Sequence, residues 1–258
     1  MNGLQKMGGV AALAMAATWV VAFAVLIGVL TPAGYYEAGV TALERARIIT
    51  DNQALASIGY LIPYVAWGIL LVVLALALHD RLKAGAPAVA QIATAIGLIW
   101  AGLVIASGLV ATLGIRVVGE VYGTDAAQAG AVWAPVETVA RALGGGAGEV
   151  LGGVWLVLIG WAALRARELP RALSFLGIVL GVAGILTVVP TLEPASSLYG
   201  LGLIAWFIWL GIVMLRTSRR RASRTPARGR VGVLHEEASV VAGASPGDSP
   251  GTRNGARK

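Results

Sequence analysis

Glu149 is the residue whose position most directly suggests chemistry. It stands in an apolar stretch that runs from about 144 to 164, so the sequence predicts a carboxylate roughly 8 Å inside a membrane-spanning helix. A carboxylate at that depth must face water, the helix bundle or a cationic partner. Arg116, Glu120 and Arg141 are predicted to lie near the same membrane face. Together with Glu149 they form a candidate site for an ion, a proton or a substrate, and the alternative is a structural ion pair.

Most catalytic and cofactor chemistries lack the residues they need. The chain has no cysteine, which excludes disulfides, zinc–thiolate sites and iron–sulfur clusters. Its two histidines, His79 and His235, fall at a helix end and in the tail, so they cannot hold a haem between membrane helices. Ser107 has no histidine or lysine near it in the membrane that could act as a base. We therefore expect no enzyme activity, no metal and no cofactor.

The composition is that of an integral membrane protein. Hydrophobic residues make up 57% of the chain and charged residues only 13%, against about 25% in a typical globular domain. Arginine outnumbers lysine 17 to 3, a bias that favours a GC-rich bacterial genome. We expect an all-α, polytopic helix bundle in the bacterial cytoplasmic membrane.

Six apolar stretches are long enough, or nearly so, to cross a membrane, which takes about 20 residues. The predicted spans are about 8–30, 54–78, 87–113, 144–164, 172–189 and 197–215. Pro63 lies inside the second stretch and predicts a kink there, whereas Pro87 is well suited to begin the third. Residues 1–215 are therefore predicted to form a six-span bundle.

Two loops between the predicted spans carry helix signals. Thr41 and Glu44 have the spacing of a capping box, which predicts a helix that begins there. Glu137 and Arg141 follow Pro135 at a spacing of four residues, which predicts a second short helix with an ion pair on its surface. Such helices usually cover the mouth of a bundle.

The basic residues predict the orientation of the chain. Residues 79–86, 165–171 and 216–258 are basic while the intervening loops are balanced or acidic, so the positive-inside rule places both termini in the cytoplasm. Residues 216–258 hold ten basic and three acidic side chains, and we expect them to form a disordered cytoplasmic tail. A basic segment next to a membrane meets anionic lipid headgroups rather than nucleic acid. The predicted lipid contacts are Arg216, Arg219, Arg220, Arg221 and Arg224.

Small residues at a spacing of four predict close helix packing, because they let two helix backbones approach. The predicted packing residues are Gly144, Gly148 and Gly152 in one span and Gly177 and Gly181 in the next. These stripes could serve packing within the chain, a homo-oligomer or a membrane partner subunit.

Three segments resemble a known family. They are Gly-Glu-Val-Leu-Gly-Gly-Val-Trp at 148–155, Leu-Pro-Arg-Ala-Leu-Ser-Phe-Leu-Gly at 169–177 and Leu-Gly-Leu-Ile-Ala-Trp-Phe-Ile-Trp-Leu-Gly at 201–211. The chain resembles an uncharacterised bacterial membrane family, domain of unknown function 4386. The resemblance implies a six-span bundle and carries no assigned activity or catalytic residue.

Two functions are compatible with these observations. The leading hypothesis is a non-enzymatic membrane protein that acts through helix–helix, partner or lipid contacts. The alternative is a small transporter or channel that uses the intramembrane carboxylate Glu149. A water-filled pocket lined by Glu149 and by other spans would favour the alternative.

Overall fold

The computed structural model describes residues 2–144, 149–189, 191 and 195–224, with side chains described for 3–144, 149–189, 191 and 199–217. Regular structure in these residues is helical throughout. The helices are α1 (Asn2–Val25), α2 (Ala42–Asp51), α3 (Gln53–Tyr60), α4 (Trp67–Leu82), α5 (Pro87–Tyr122), α6 (Ala126–Gly144), α7 (Val150–Ala166), α8 (Arg171–Leu186) and α9 (Ala195–Arg224). Residues up to Ser218 form one compact unit, and a second begins at Arg219.

The apolar helices confirm the prediction of an all-helical, membrane-type chain. Four helical stretches are long and apolar enough to cross a membrane: Gly3–Leu30, Gln53–Leu82, Pro87–Tyr122 and Tyr199–Thr217. The predicted fourth and fifth spans appear as the shorter apolar helices α7 and α8, of 17 and 16 residues.

The second of these stretches is irregular around its proline. Residues Leu61–Ala66 form π-helical turns that join α3 to α4, and Pro63 lies buried among them. Proline has no backbone N–H to donate to the preceding turn, and the wider π-helical turn is one way in which a helix accommodates that loss. A second π-helical segment, Leu26–Leu30, follows α1.

The start of α7 corrects the sequence prediction. The helix begins at Val150 and not near Gly144, which is the last residue of α6. Glu149 therefore directly precedes the helix instead of lying one and a half turns inside it. Gly144 and Gly152 belong to different helices and do not share one stripe, and Gly148 lies outside the described residues. Hydropathy misplaced the boundary because glycine and alanine count as apolar without marking where a helix starts.

Two apolar cores lie within the first compact unit. The larger contains Trp67 and Leu71 of α4, Trp100 of α5 and Trp155 of α7. The smaller is formed around Ile115 of α5 and brings together residues from α2, α3 and α6. The stretch Gln53–Leu82 contributes to both, with α3 in the smaller core and α4 in the larger.

Candidate functional site

A cavity of about 380 Å³ lies where Glu149 meets side chains from several helices. Its walls come from α1, the π-helical turn Leu61–Ala66, α4, α5, the end of α6 at Gly144, and α9. The aromatic side chains that line it are Trp19, Phe23, Tyr64, Trp67, Trp100 and Tyr199. Among the described lining residues, Glu149 alone is charged. The cavity is therefore an aromatic chamber with one carboxylate.

The backbone of Glu149 is fixed on both sides. Its N–H donates a hydrogen bond of 3.2 Å to the hydroxyl of Thr187, just beyond the end of α8. That hydroxyl in turn donates to the carbonyl of Gly184 at 2.6 Å. The carbonyl of Glu149 accepts a 2.7 Å hydrogen bond from the N–H of Gly153. Glu149 is thus held between α7 and α8 while its side chain is left to the cavity.

Three buried donors around the cavity lack an acceptor in the described part of the chain. They are the indole Nε1 atoms of Trp19 and Trp67 and the hydroxyl of Tyr199. A buried donor without an acceptor costs about 1–3 kcal/mol. These three atoms have almost no accessible surface, so they lie in the packing behind the cavity wall and do not face the cavity itself.

Glycines position the aromatic wall. A Cβ on Gly152 would lie 2.7 Å from the Tyr199 hydroxyl and 2.6 Å from the Trp100 ring. A Cβ on Gly184 would lie 2.7 Å from the ring of Tyr199. The tyrosine therefore occupies space that only these glycines leave free. Trp100 also meets Trp67 edge-to-face at a centroid distance of 4.9 Å, a favourable aromatic geometry.

The residues predicted to accompany Glu149 lie elsewhere. Arg116 and Glu120 form a 3.9 Å pair on α5, and their side chains are 69% and 71% exposed. Arg141 pairs with Glu137 at 3.7 Å on α6, as the spacing of four residues predicted. No ion pair found among the described residues involves Glu149, so its predicted arginine partners do not pair with it.

Glu137 is the centre of a second polar cluster, of which the sequence predicted only the pair with Arg141. Its side chain is 10% exposed and pairs with Arg45 of α2 at 3.3 Å as well as with Arg141. Beside it, a smaller cavity of about 80 Å³ is lined by Tyr36, Tyr60, Tyr64, Ser107, Ala140 and the Glu137–Arg141 pair. The Ser107 hydroxyl donates to the carbonyl of Ala140 at 2.7 Å. Tyr64 lines both cavities.

A tyrosine next to this cluster is tied to it. Trp133 Nε1 donates a 2.9 Å hydrogen bond to the Tyr35 hydroxyl, and Arg45 lies over the Tyr35 ring at 5.7 Å. Burial, together with the nearby charge of Glu137, raises the pKa of Tyr35 well above its usual range. Tyr35 therefore stays neutral. Its hydrogen bond with Trp133 connects the loop that contains Tyr35 to α6.

The remaining predicted glycines pack inside the chain. A Cβ on Gly177 would lie 2.9 Å from Trp206 Nε1, which donates to the carbonyl of Leu173. Gly181 faces the backbone of Gly153 across the contact of α7 with α8. These glycines already have neighbours within the chain, so they carry no argument for a second copy.

Of the predicted lipid contacts, the structure describes the side chain of Arg216 alone, which is exposed near the end of the apolar part of α9. The side chains of the other four lie outside the described residues. They are Arg219, Arg220, Arg221 and Arg224.

Comparison with known protein families gives a match to most of the chain. A family model described as a domain of unknown function (DUF4386) matches residues 7–216, which include Glu149 and the cavity around it. No curated protein and no solved structure matches the chain.

Proposed function

Because the chain belongs to the DUF4386 family, which carries no assigned function, we propose a function from the site itself. The protein is a small membrane carrier that binds a cationic ligand at Glu149, and it moves the ligand without changing its bonds. In this proposal the chain crosses the bacterial cytoplasmic membrane six times, with α7 and α8 as short spans and both termini in the cytoplasm. Their lengths correspond to roughly 25 Å of helix, which a locally thinned bilayer accommodates.

The observation that carries the proposal is the aromatic cavity with Glu149 as its one charged lining residue among those described. Its volume falls in the range of about 300–1,000 Å³ that is usual for small-molecule sites. A carboxylate in such surroundings needs a counter-charge, and the faces of tryptophan and tyrosine rings attract the same cation. The chamber therefore matches a small organic cation in both charge and lining.

This geometry favours the carrier over a function by contact alone. The described glycines of the stripes that suggested a partner helix pack against α5, α7 and α9 of the same chain. The cavity, by contrast, brings together residues from five separate stretches of the sequence, at 19–23, 63–67, 100–104, 144–149 and 199–203, as a binding site does.

The test uses phenyltrimethylammonium, a permanent cation with one aromatic ring, and the purified full-length protein in detergent. We expect isothermal titration calorimetry to show binding to the wild type and at least tenfold weaker binding to Glu149→Gln. The matched control is Glu120→Gln, which removes an exposed carboxylate outside the cavity and should bind as the wild type does. Equal affinity of Glu149→Gln and the wild type, or binding to neither, would overturn the proposal.

We also propose that the basic segment after the last span binds anionic lipid headgroups. This proposal is supported by α9, whose helix continues beyond its apolar part through Arg224, and by the exposure of Arg216. Each basic residue near such a surface contributes about 1 kcal/mol of attraction. Replacing Arg216, Arg219 and Arg220 by glutamine should weaken flotation with vesicles rich in phosphatidylglycerol, measured with a cytoplasmic tail peptide. Unchanged flotation would refute the lipid contact.

A further inference from the structure

The cavity at Glu149 reaches the outer surface of the protein beside α9. Leu201 lines the cavity, yet it is 59% exposed. Its neighbour Gly200 also lines the cavity, and a Cβ built on Gly200 meets no heavy atom within 4 Å. A lining residue that is also exposed marks a rim, so the cavity has a mouth at Gly200 and Leu201.

The mouth lies between α1 and α9. On the α1 side the cavity is lined by Trp19 and Phe23. The same two helices come close at Gly9 and Gly211, where a Cβ on Gly211 would lie 2.9 Å from the carbonyl oxygen of Gly9. Ten residues of helix, roughly 15 Å, separate that contact from Trp19 on one helix and from Leu201 on the other. The helices are thus closed at one level and have the cavity between them at another.

The surface around the mouth is apolar. Val20 of α1 is 69% exposed, Ile27 of the π-helical segment Leu26–Leu30 is 64% exposed, and Leu201 of α9 is 59% exposed. Both helices are apolar enough to cross a membrane, so in a bilayer their exposed side chains face lipid. Gly200 and Leu201 are the second and third residues of the span Tyr199–Thr217, so a molecule that passes this mouth comes from the lipid near one end of that span.

The lining also restricts what such a molecule can be. Glu149 is a counter-charge for a cation, and the rest of the described wall is mostly apolar and aromatic. A ligand that satisfies both has one positive charge and an apolar body.

We infer that the site takes a lipophilic monocation from the bilayer, through a lateral mouth between α1 and α9 at Gly200 and Leu201. This inference rests on the proposed function and adds the chemical class of the ligand and its route. The carboxylate binds the ammonium group, and the apolar body lies against the rings.

Tetracaine tests the ligand class, since it joins a protonatable amine to an aromatic ester with an alkyl chain. Butyl 4-aminobenzoate is the matched ligand, because it has the aromatic ester and alkyl chain without the basic alkylamine. In phosphatidylcholine vesicles at neutral pH, we expect the wild type to bind tetracaine at least tenfold more tightly than the neutral ester after correction for partitioning. Equal affinities would overturn the cationic class.

Gly200→Trp tests the route, because the new side chain would fill the open space at the mouth. Association of tetracaine, followed by stopped-flow fluorescence in the same vesicles, should slow at least tenfold. Gly102→Trp is the matched control: Gly102 is exposed on α5, also has no heavy atom within 4 Å of a built Cβ, and lies away from the cavity. If the tryptophan variant does not fold, Gly200→Leu places a smaller side chain in the same space and should slow association less.

The source of the ligand is tested by changing the lipid composition. At a fixed aqueous tetracaine concentration, the association rate should follow the mole fraction of ligand in the membrane when lipid composition alters its partitioning. A rate that stays constant while that mole fraction changes, or an unchanged rate in both Gly200 variants, would overturn the lateral mouth. If phenyltrimethylammonium still binds in that case, the proposed function stands while this inference fails.

Discussion

Gly153 of α7 and Gly181 of α8 face each other so closely that a Cβ on either residue would lie 2.5 Å from the carbonyl oxygen of the other. Backbone cannot move aside as the end of a flexible side chain can. The two short helices therefore depend on hydrogen atoms at both positions, as close helix pairs in membranes do. Because the backbone of Glu149 hydrogen-bonds to Gly153 and to Thr187, just beyond α8, this contact also positions the carboxylate.

The first prediction concerns this contact. Gly181→Ala should lower the free energy of unfolding by about 1–3 kcal/mol, the usual cost of overpacking. Gly102→Ala is the control, because a Cβ there meets open space, and it should be neutral or stabilising by up to about 1 kcal/mol. Unfolding in mixed micelles with increasing denaturing detergent measures both. Equal stability of Gly181→Ala and the wild type would contradict the described packing of α7 on α8.

The second prediction concerns the hydrogen bond between Trp133 and Tyr35. Tyr35→Phe removes the acceptor and leaves the buried indole N–H of Trp133 unpaired, so we expect the free energy of unfolding to fall by about 1–3 kcal/mol. Tyr36→Phe removes a neighbouring hydroxyl from a residue that is 49% exposed, and it should change stability by less than about 0.5 kcal/mol. Thermal unfolding followed by near-ultraviolet circular dichroism distinguishes the two. A similar melting temperature for both variants would count against the bond.

The third prediction separates a buried ion pair from an exposed one. Glu137→Gln removes the negative charge that pairs with both Arg45 and Arg141. Because the two arginines are partly exposed, we expect the free energy of unfolding to fall by about 2 kcal/mol. Asp51→Asn breaks the pair with Arg47, in which both side chains are more than half exposed, and should cost less than about 0.5 kcal/mol. Chemical unfolding in detergent at moderate salt measures the difference. If Glu137→Gln and Asp51→Asn lowered the free energy of unfolding equally, the buried pairs of Glu137 would contribute no more to stability than an exposed pair does.

The fourth prediction is a pH dependence at the start of α2. The backbone N–H of Thr41 and then its hydroxyl hydrogen-bond the Glu44 carboxylate at 2.7 and 2.8 Å, which lowers the pKa of Glu44 below its ordinary value. A lowered pKa in the folded state means that the stabilisation is fully present above the ordinary glutamate pKa and is lost as the pH falls through the Glu44 pKa.

The protection of the α2 amides against hydrogen exchange, relative to the intrinsic exchange rate at each pH, should therefore fall in acid with a midpoint below the usual glutamate range. The variant Glu44→Gln should remove this step, and Thr41→Ala should move the Glu44 pKa, read by carboxyl NMR shifts, back towards its ordinary value. A Glu44 pKa that does not respond to Thr41→Ala would show that the hydroxyl contributes nothing to it.

Local signals in the sequence were sufficient for much of the helical framework. The capping box predicted between Thr41 and Glu44 is present with both of its hydrogen bonds. Pro87 is the first residue of α5, as predicted, because its fixed φ and missing N–H suit that position. The pairing of Glu137 with Arg141 also follows from helical spacing. Each of these features depends on residues fewer than five positions apart.

The candidate site depends on residues that are far apart in the chain, and sequence reasoning found only one of them. Arg45 reaches Glu137 across 92 positions, so no local pattern could have indicated the pair. Tyr199 stands at the end of an apolar stretch, where a tyrosine resembles an interfacial residue, although it lines the cavity. Glu149 was found because a carboxylate in an apolar run is conspicuous, but its partners were sought by membrane level alone.

The π-helical turn at Leu61–Ala66 holds one residue more than a regular helix would need there. Each residue of an α-helix rotates the following side chains by about 100°, whereas the wider π-helical turn fits one extra residue into the same rotation. Ala56 of α3 packs in the core around Ile115, and Trp67 and Leu71 of α4 pack in the other core. Deleting a single residue from this turn should therefore convert it to regular α-helix and leave both packing faces in place, whereas deleting a residue within α4 would rotate the side chains that follow it away from their core.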